Sequence, residues 1–341
     1  MNGQRKRRLA VMADVARLAG VSHQTVSRVL HDSPHVRGET RERVLAAIRQ
    51  LDYRPNSMAQ ALATGRSKTL GVVSFDTTLY GPASTLVGIE QAAHDAGYAV
   101  SVSSLRSLNR ETVLAAIQQL RDQGVDGVAV IAPLLTAVDA LRHIRSDFAV
   151  VAVEAGKDAS IPVATVDQQA GAAAATRHLL GLGHETVWHL AGPVDWVEAE
   201  ERIAGWGSAL REAGAPIPPL VRGDWTPRSG YEIGQQLLQI PELTAVLVAN
   251  DQMALGLLRR LHEAGRSVPR DLSVVGFDDI PEAAYFTPPL TTVRQDFAEL
   301  GRRCLRILLD RIEGDWERTR VVVPPELVVR NSTGAPPTAQ R

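Results

Sequence analysis

Thr244–Ala264 reads TAVLVANDQMALGLLRRLHEA. Its opening residues form a short unbroken apolar run, which suits a strand buried on both faces of a parallel sheet. A helical pattern follows at once, over Ala254–Ala264. Asn250 and Asp251 fall at the join, beyond the strand's carboxyl end, which is where open α/β sheets bind their ligands.

The same alternation extends in both directions. TLGVVSF (69–75), GVDGVAVI (124–131), FAVVAV (148–153), TVWHLAG (186–192) and LSVVGF (272–277) also read as buried parallel strands. Helices are expected between them over Ser84–Ala96, Arg110–Gln123, Ala170–Leu182 and Ser229–Leu238, and again after Asp296. This is a repeated βαβ arrangement, an α/β class fold. Two such sheets fit the length. The strand-end rule also selects Phe75 with Asp76, Glu154, and Asp278 with Asp279 as ligand contacts. The competing reading makes each carboxylate a strand-end cap or surface group, and Trp225 a piece of core.

Two other signals are weaker. His184 and His189 stand five apart with no partner spacing for a metal, and His184 is expected at a helix end. The adjacent Asp278 and Asp279 invite comparison with glycosidases, whose two carboxylates flank a bond. Adjacency in sequence does not supply that geometry, so binding without chemistry is expected: no catalytic residues, metal or cofactor.

With 341 residues, 45% hydrophobic and 22% charged, the chain suits two lobes with full cores. Cys304 is the single cysteine, which excludes an intrachain disulfide and a cysteine-held zinc. The start MNGQRKRR has no apolar secretory core after it, and no run approaches a membrane span, so the cytoplasm is expected. The net charge of -1 is unevenly spread. Residues 1–66 hold twelve Lys and Arg against five Asp and Glu; the rest hold 25 against 33. A basic head on an acidic body points to an anionic partner for the head, although a solvated tail is the plainer reading.

Within the head, DVARLAGVSHQTVSRVL (14–30) breaks at Gly20 and restarts. Val15, Ala16, Leu18 and Ala19 make one helix face. Val21, Val26, Val29 and Leu30 make a second, with Ser22 as N-cap. A helix-turn-helix places its second helix in the major groove. There Gln24 suits adenine, Arg28 suits guanine, and His23, Thr25 and Ser27 offer further polar groups. The alternative is the wet face of a small bundle. A third helix is expected over Thr40–Leu51, with Val44, Leu45, Ile48 and Leu51 as its apolar stripe. After Pro55, Asn56 or Ser57 can cap a short helix through Met58, Ala59, Ala61 and Leu62, marginal by itself.

These segments resemble the lactose and galactose repressor family of bacterial transcriptional regulators. The head carries DVARLAGVSHQTVSRVL, VRGETRERVLAAIRQLDYRPN and AQALATGRS. The body carries GLGHETVWHLAGP, RIAGW, VANDQMALG, DLSVVGFDD and PPLTTVRQDFAELG. VANDQMALG and PPLTT lean toward the lactose branch, away from the purine-responsive one. The resemblance spans roughly Val11–Arg330, in family order. It implies a helix-turn-helix head over 1–55, a hinge helix and linker over 56–67, and a two-lobed, periplasmic-binding-protein-like body over 68–332. Its discontinuous lobes are about 68–166 with 296–324, and 167–295 with 325–332; 333–341 is a flexible tail.

The resemblance also implies roles. His23 and Gln24 match leading base-reading positions, Arg28 a later one, and Leu62 the leucine wedged into the operator's minor groove. Ser22, Thr25, Ser27, His35, Asn56 and Ala59 complete the implied DNA contacts. Arg202, Trp225, Asn250 and Asp278 map to the effector pocket, with Glu154, Phe75, Leu79, Gln295 and Phe297 also at pocket positions. Three departures stand out: Val11 replaces a usual threonine cap, so the first turn is expected to be less well fixed. His23 stands in place of a tyrosine, and Phe75 in place of a small serine.

Paired hinge helices require a homodimer on near-palindromic operator DNA. The polar NSTGAPPTAQR, without heptads, gives no expectation of a tetramer. The function expected is a repressor whose operator affinity falls when a small sugar, a glycoside, binds between the lobes. A transport-type sugar-binding protein explains the body but not the basic head. A sugar-processing enzyme and a purine-corepressed regulator are the remaining alternatives.

Overall fold

The computed structural model describes residues 10–30, 33–53, 65–107, 109–141, 148–156, 161–317 and 319–337. The chain separates into two units, Met1–Ser67 and Lys68–Arg341.

The first unit holds α1 (Met12–Ala19), α2 (His23–Leu30) and α3 (Gly38–Gln50). Gly20 ends α1 at φ 66°, a left-handed conformation that glycine adopts without a Cβ clash. Ser22 Oγ accepts from the Thr25 N–H at 3.2 Å and so caps α2. Val15, Val26 and Val44 are fully buried, with Ala16, Ala19, Val29, Ala47 and Tyr53 around them. Leu18 and Leu45, expected inside, are instead exposed. Each lies about 100° around its helix from the centre of the buried face, so the packing passes it by. Val11 makes no side-chain cap, but Asp14 Oδ2 accepts its N–H at 3.1 Å and closes the first turn. Asn56, Ala59 and Leu62 lie outside the described residues.

In the second unit, one sheet contains β1 (Thr69–Phe75), β2 (Ala99–Leu105), β3 (Gly127–Ile131), β4 (Val150–Val153), β5 (Val163–Val166) and β11 (Arg320–Val323). Its order is β11-β5-β4-β3-β1-β2. The other contains β6 (Trp188–Ala191), β7 (Val221–Arg222), β8 (Ala245–Val248), β9 (Ser273–Asp278), β10 (Thr291–Arg294) and β12 (Glu326–Val328). Its order is β12-β10-β9-β8-β6-β7. Every pairing is parallel except β10 with β12. The chain crosses between sheets after Val166, after Arg294 and after Val323.

Helices cover both sheets: α4 (Tyr80–Asp95), α5 (Arg110–Asp122), α6 (Leu135–Leu141) and α11 (Phe297–Ile312) on the first; α7 (Gln168–Gly181), α8 (Val197–Glu212), α9 (Pro227–Leu237) and α10 (Asp251–Glu263) on the second. No helix among the described residues is long and apolar enough to cross a membrane. The central strands are buried along their whole length, which is why they read as continuous apolar runs. Helices α9 and α10 approach each other closely: a Cβ on Gly256 of α10 would lie 1.8 Å from the Pro227 carbonyl oxygen of α9. Backbone against backbone, the two helices bring their N-termini side by side.

Residues just before and within the segment expected to be a loose tail are hydrogen-bonded to the body. Ser332 is buried; its hydroxyl donates to the Val274 carbonyl at 2.6 Å and accepts the Thr291 N–H at 2.7 Å. The Gly334 N–H donates to Ser273 Oγ at 3.0 Å, and His184 Nε2 meets the Gly334 carbonyl at 3.0 Å. His184 Nδ1 meets Thr244 Oγ1 at 2.9 Å, so both its ring nitrogens are occupied, Nε2 by the strap.

Candidate functional site

Between the two sheets of the body lies a cleft of about 230 Å³, lined from both sides. Glu154 comes from the end of β4, Asp278 from the end of β9, and Asn250 from the join of β8 and α10. Leu79, Arg202, Trp225, Gln295 and Phe297 line it as well. Phe75 does not. Its ring packs into the first lobe's core and against Trp196, centroids 6.4 Å apart, and it is Trp196 that borders the cleft.

The polar side of the cleft is one continuous network. Arg202 Nε donates to Gln168 Oε1 at 2.9 Å, and its other nitrogens reach the Ala249 carbonyl and Asp278 Oδ1, the latter at 3.5 Å. Gln295 Nε2 donates to the same Asp278 oxygen at 2.7 Å, and Gln168 Nε2 to Gln295 Oε1 at 2.8 Å. Glu154 accepts from Thr165 Oγ1 at 3.0 Å and from the Val166 N–H at 3.1 Å. The Arg202 guanidinium lies 3.9 Å from the Phe277 ring centroid, so a desolvated cation rests on an aromatic face.

The apolar side is aromatic. Trp196 and Trp225 meet edge to face at 5.5 Å, and Tyr80 meets Phe297 likewise at 5.8 Å. Asn250 ties the two sides together. Its Oδ1 caps α10 by accepting the Met253 N–H at 2.9 Å, and its Nδ2 donates to the Trp225 carbonyl at 3.0 Å.

Burial dominates the electrostatics. It pushes Glu154 up to about 7 against the hydrogen bonds from Val166 and Thr165. It lifts Asp278 to about 6 although Arg202 pulls the other way. Glu198 is raised well above the usual carboxylate range by burial first and Glu154 second. Glu154, Trp225 and Asp278 also hold positive φ, at 56°, 73° and 109°. Such backbone is costly for side chains with a Cβ, and three of the seven non-glycine residues that adopt it among the described residues line the cleft.

Asp279 faces away from this network. Arg294 Nε and Arg330 Nη2 donate to its two oxygens at 2.7 and 2.6 Å. The neighbouring carboxylates therefore do not flank a common space, and the pair is no glycosidase constellation.

Tyr80, Gln168, Trp196 and Glu198 are among the lining residues that the sequence reading does not select. Gln168 opens α7 directly after the crossover from β5, a position with no motif. Glu198 sits in the first turn of α8, a helix hidden by its charged start and by Gly205 and Gly207.

In the head, His23, Gln24 and Arg28 are exposed on α2, while Thr25 and Ser27 are half-buried. Ser22 is exposed but engaged as the cap, and His35 is exposed in the turn after α2.

Residues 11–56 match the family model described as bacterial regulatory proteins, lacI family, and residues 176–333 match the periplasmic binding protein-like domain. The lactose operon repressor of Escherichia coli (strain K12) is 38% identical over 332 residues, covering 95% of this chain and 91% of the relative. The chain belongs to the lacI family. Another lacI-family relative, the HTH-type transcriptional repressor PurR of Haemophilus influenzae (strain PittEE), is 34% identical over 335 residues, covering 95% of this chain and 98% of its own. The crystal structure of the lac repressor dimer bound to operator and the anti-inducer ONPF superimposes with a TM-score of 0.86 at 35% identity, covering 96% of this chain and 100% of that one. As a lacI-family member, the protein is a DNA-binding transcriptional repressor with a ligand-binding, periplasmic-binding-protein-like body. The family is one of regulators, not enzymes.

Proposed function

We propose that the protein acts as a homodimeric repressor on near-palindromic operator DNA, and that a small carbohydrate, a glycoside, bound in the cleft lowers its affinity for that DNA. The observation that carries the sugar reading is the pairing of Trp196 and Trp225 at 5.5 Å in the same cleft as the Arg202–Asp278–Gln295 network. A sugar presents an apolar C–H face to an aromatic ring and adjacent hydroxyls to directional polar groups. The likeness to a lactose operon repressor supports the same ligand class, and the lac repressor dimer on its operator supports the assembly.

The exposed groups of α2 are the base readers in this proposal. Arg28→Ala should lower discrimination between operator and scrambled duplex by about 1–3 kcal/mol if the guanidinium grips a base edge. An unchanged ratio of the two affinities would remove Arg28 from that role. Affinity should also drop steeply with salt, as the basic head displaces counterions from the phosphates.

The ligand is tested by calorimetric titration of a sugar panel with and without operator. Linkage requires that sugar and DNA weaken each other by the same factor. In Asp278→Asn the operator affinity should hold while sugar binding falls roughly tenfold to a hundredfold, the worth of one charge-assisted hydrogen bond. A ligand that instead tightened DNA binding, such as a purine base, would make the protein a corepressed regulator and reverse the switch.

A further inference from the structure

Charge in the cleft is unbalanced. Among the described residues lining it, the charged groups are Glu154, Glu198, Arg202 and Asp278, three acids to one base. Arg202 is already committed to Gln168, the Ala249 carbonyl and Asp278. Glu154 has its acceptors engaged by Thr165 and Val166. Glu198 is different. It is 9% exposed, its Oε2 is buried, and that oxygen has no hydrogen-bond partner. A buried carboxyl oxygen left bare costs stability, and an apolar side chain would fill the space at no such cost. Among the described residues nothing satisfies that oxygen.

We propose that the natural ligand is an amino sugar, a saccharide bearing a basic nitrogen, whose ammonium group seats on Glu198. This rests on the sugar reading above and narrows it. The ammonium brings the missing positive charge and supplies the donors that the bare oxygen lacks, as a charge-assisted hydrogen bond. Trp225 Nε1, also buried and unpartnered at the cleft, is left to donate to a ring or hydroxyl oxygen. Without ligand, burial first and the nearby Glu154 second favour the protonated form of Glu198. An ammonium seated there favours the ionised carboxylate, so ligand binding and proton release are linked. The C–H face of the sugar, laid against the tryptophans, would exclude water from the pair and strengthen it.

The test uses the full-length protein and matched sets of hexose, hexosamine and N-acetylhexosamine on the gluco, galacto and manno scaffolds. Each is titrated calorimetrically at pH 7 in two buffers of different ionisation enthalpy. On at least one scaffold the free amine should bind at least about tenfold tighter than the hydroxyl or the acetamide, with protons released and not taken up. Glu198→Gln keeps the shape of the protonated acid and should bring amine and hydroxyl within about twofold of each other. Hexoses that bind with no gain from the amine would overturn the proposal and leave the sugar reading standing. A preference for amine that survives in Glu198→Gln would overturn the assignment to this residue. Binding of no saccharide in either form would overturn both readings together.

Discussion

Replacing Arg202 with alanine is expected to destabilise the body by about 3–5 kcal/mol at pH 7, the usual result of removing one partner from a buried ion pair. Arg202 is 4% exposed, and its guanidinium joins Gln168 of the crossover, the Ala249 carbonyl at the end of β8, and Asp278 at the end of β9. Its removal leaves Asp278 held by Gln295 alone and strips the Phe277 face of its cation. A body of this size should lose on the order of 10 °C in Tm. Lysine should not rescue it, because a single ammonium cannot span the three directions that the planar fork covers. The pH dependence gives an internal check. Asp278 sits at about 6 with Arg202 beside it, and Arg202 is the larger of the two influences that lower it, the Gln295 hydrogen bond being the other. Without the arginine that carboxyl holds its proton to higher pH. The loss should therefore be smaller at pH 5, where Asp278 is largely protonated in both proteins, than at pH 8. A difference of under 1 kcal/mol at pH 8, measured by denaturant unfolding, would show that the network is not what holds the cleft's floor.

How much of the molecule is legible in the sequence depends on burial. Strands covered on both faces, such as β3, β8 and β9, announce themselves as apolar runs. Edge strand β2, AVSVSSL, alternates with serine and stays half-exposed, so it carries no comparable signal. Nor does the two-residue β7. Helix α8 escapes a sequence reading because Gly205 belongs to its packing: a Cβ there would lie 2.2 Å from the Gln169 carbonyl oxygen of α7. The same glycine that fits the helix against its neighbour weakens the helical pattern. In the cleft, Glu154, Asn250 and Asp278 follow from the strand-end rule, since parallel sheets place that end at the ligand. Arg202 and Trp225 follow only from family resemblance. Glu198 and Trp196 have no signal at all, because what marks them is a missing hydrogen bond and a ring contact. Phe75 obeys the strand-end rule in position but turns its ring into the core.

Changing Glu154 to glutamine should alter stability in opposite directions at the two ends of the pH range. The carboxyl is 5% exposed, and burial raises it from an ordinary value of 4.5 to about 7. The folded protein thus keeps a proton that the unfolded chain sheds above pH 4.5. The stability this contributes is fully present below 4.5 and is lost as pH rises through 7. By pH 8 the loss is on the order of 3 kcal/mol, from a shift of that size at 1.36 kcal/mol per unit. Glutamine does not titrate and escapes it. At pH 4.5 the variant should be the weaker protein by about 1 kcal/mol, because its amide nitrogen cannot accept and either Thr165 or Val166 loses an acceptor. At pH 8 the variant should be the stronger. The other shifted groups largely cancel in the comparison, His189 at about 4 and Asp278 at about 6 being common to both proteins. Glu198 adds to the effect, since removing the charge at position 154 relieves its main electrostatic neighbour. All five tryptophans lie in the body, so their fluorescence reports its unfolding without interference from the head. Urea midpoints for parent and variant, taken without sugar at pH 4.5, 6 and 8, should cross. A constant gap at all three would mean that Glu154 ionises in the folded body as easily as it does in water, and that the cleft is wetter than its geometry says.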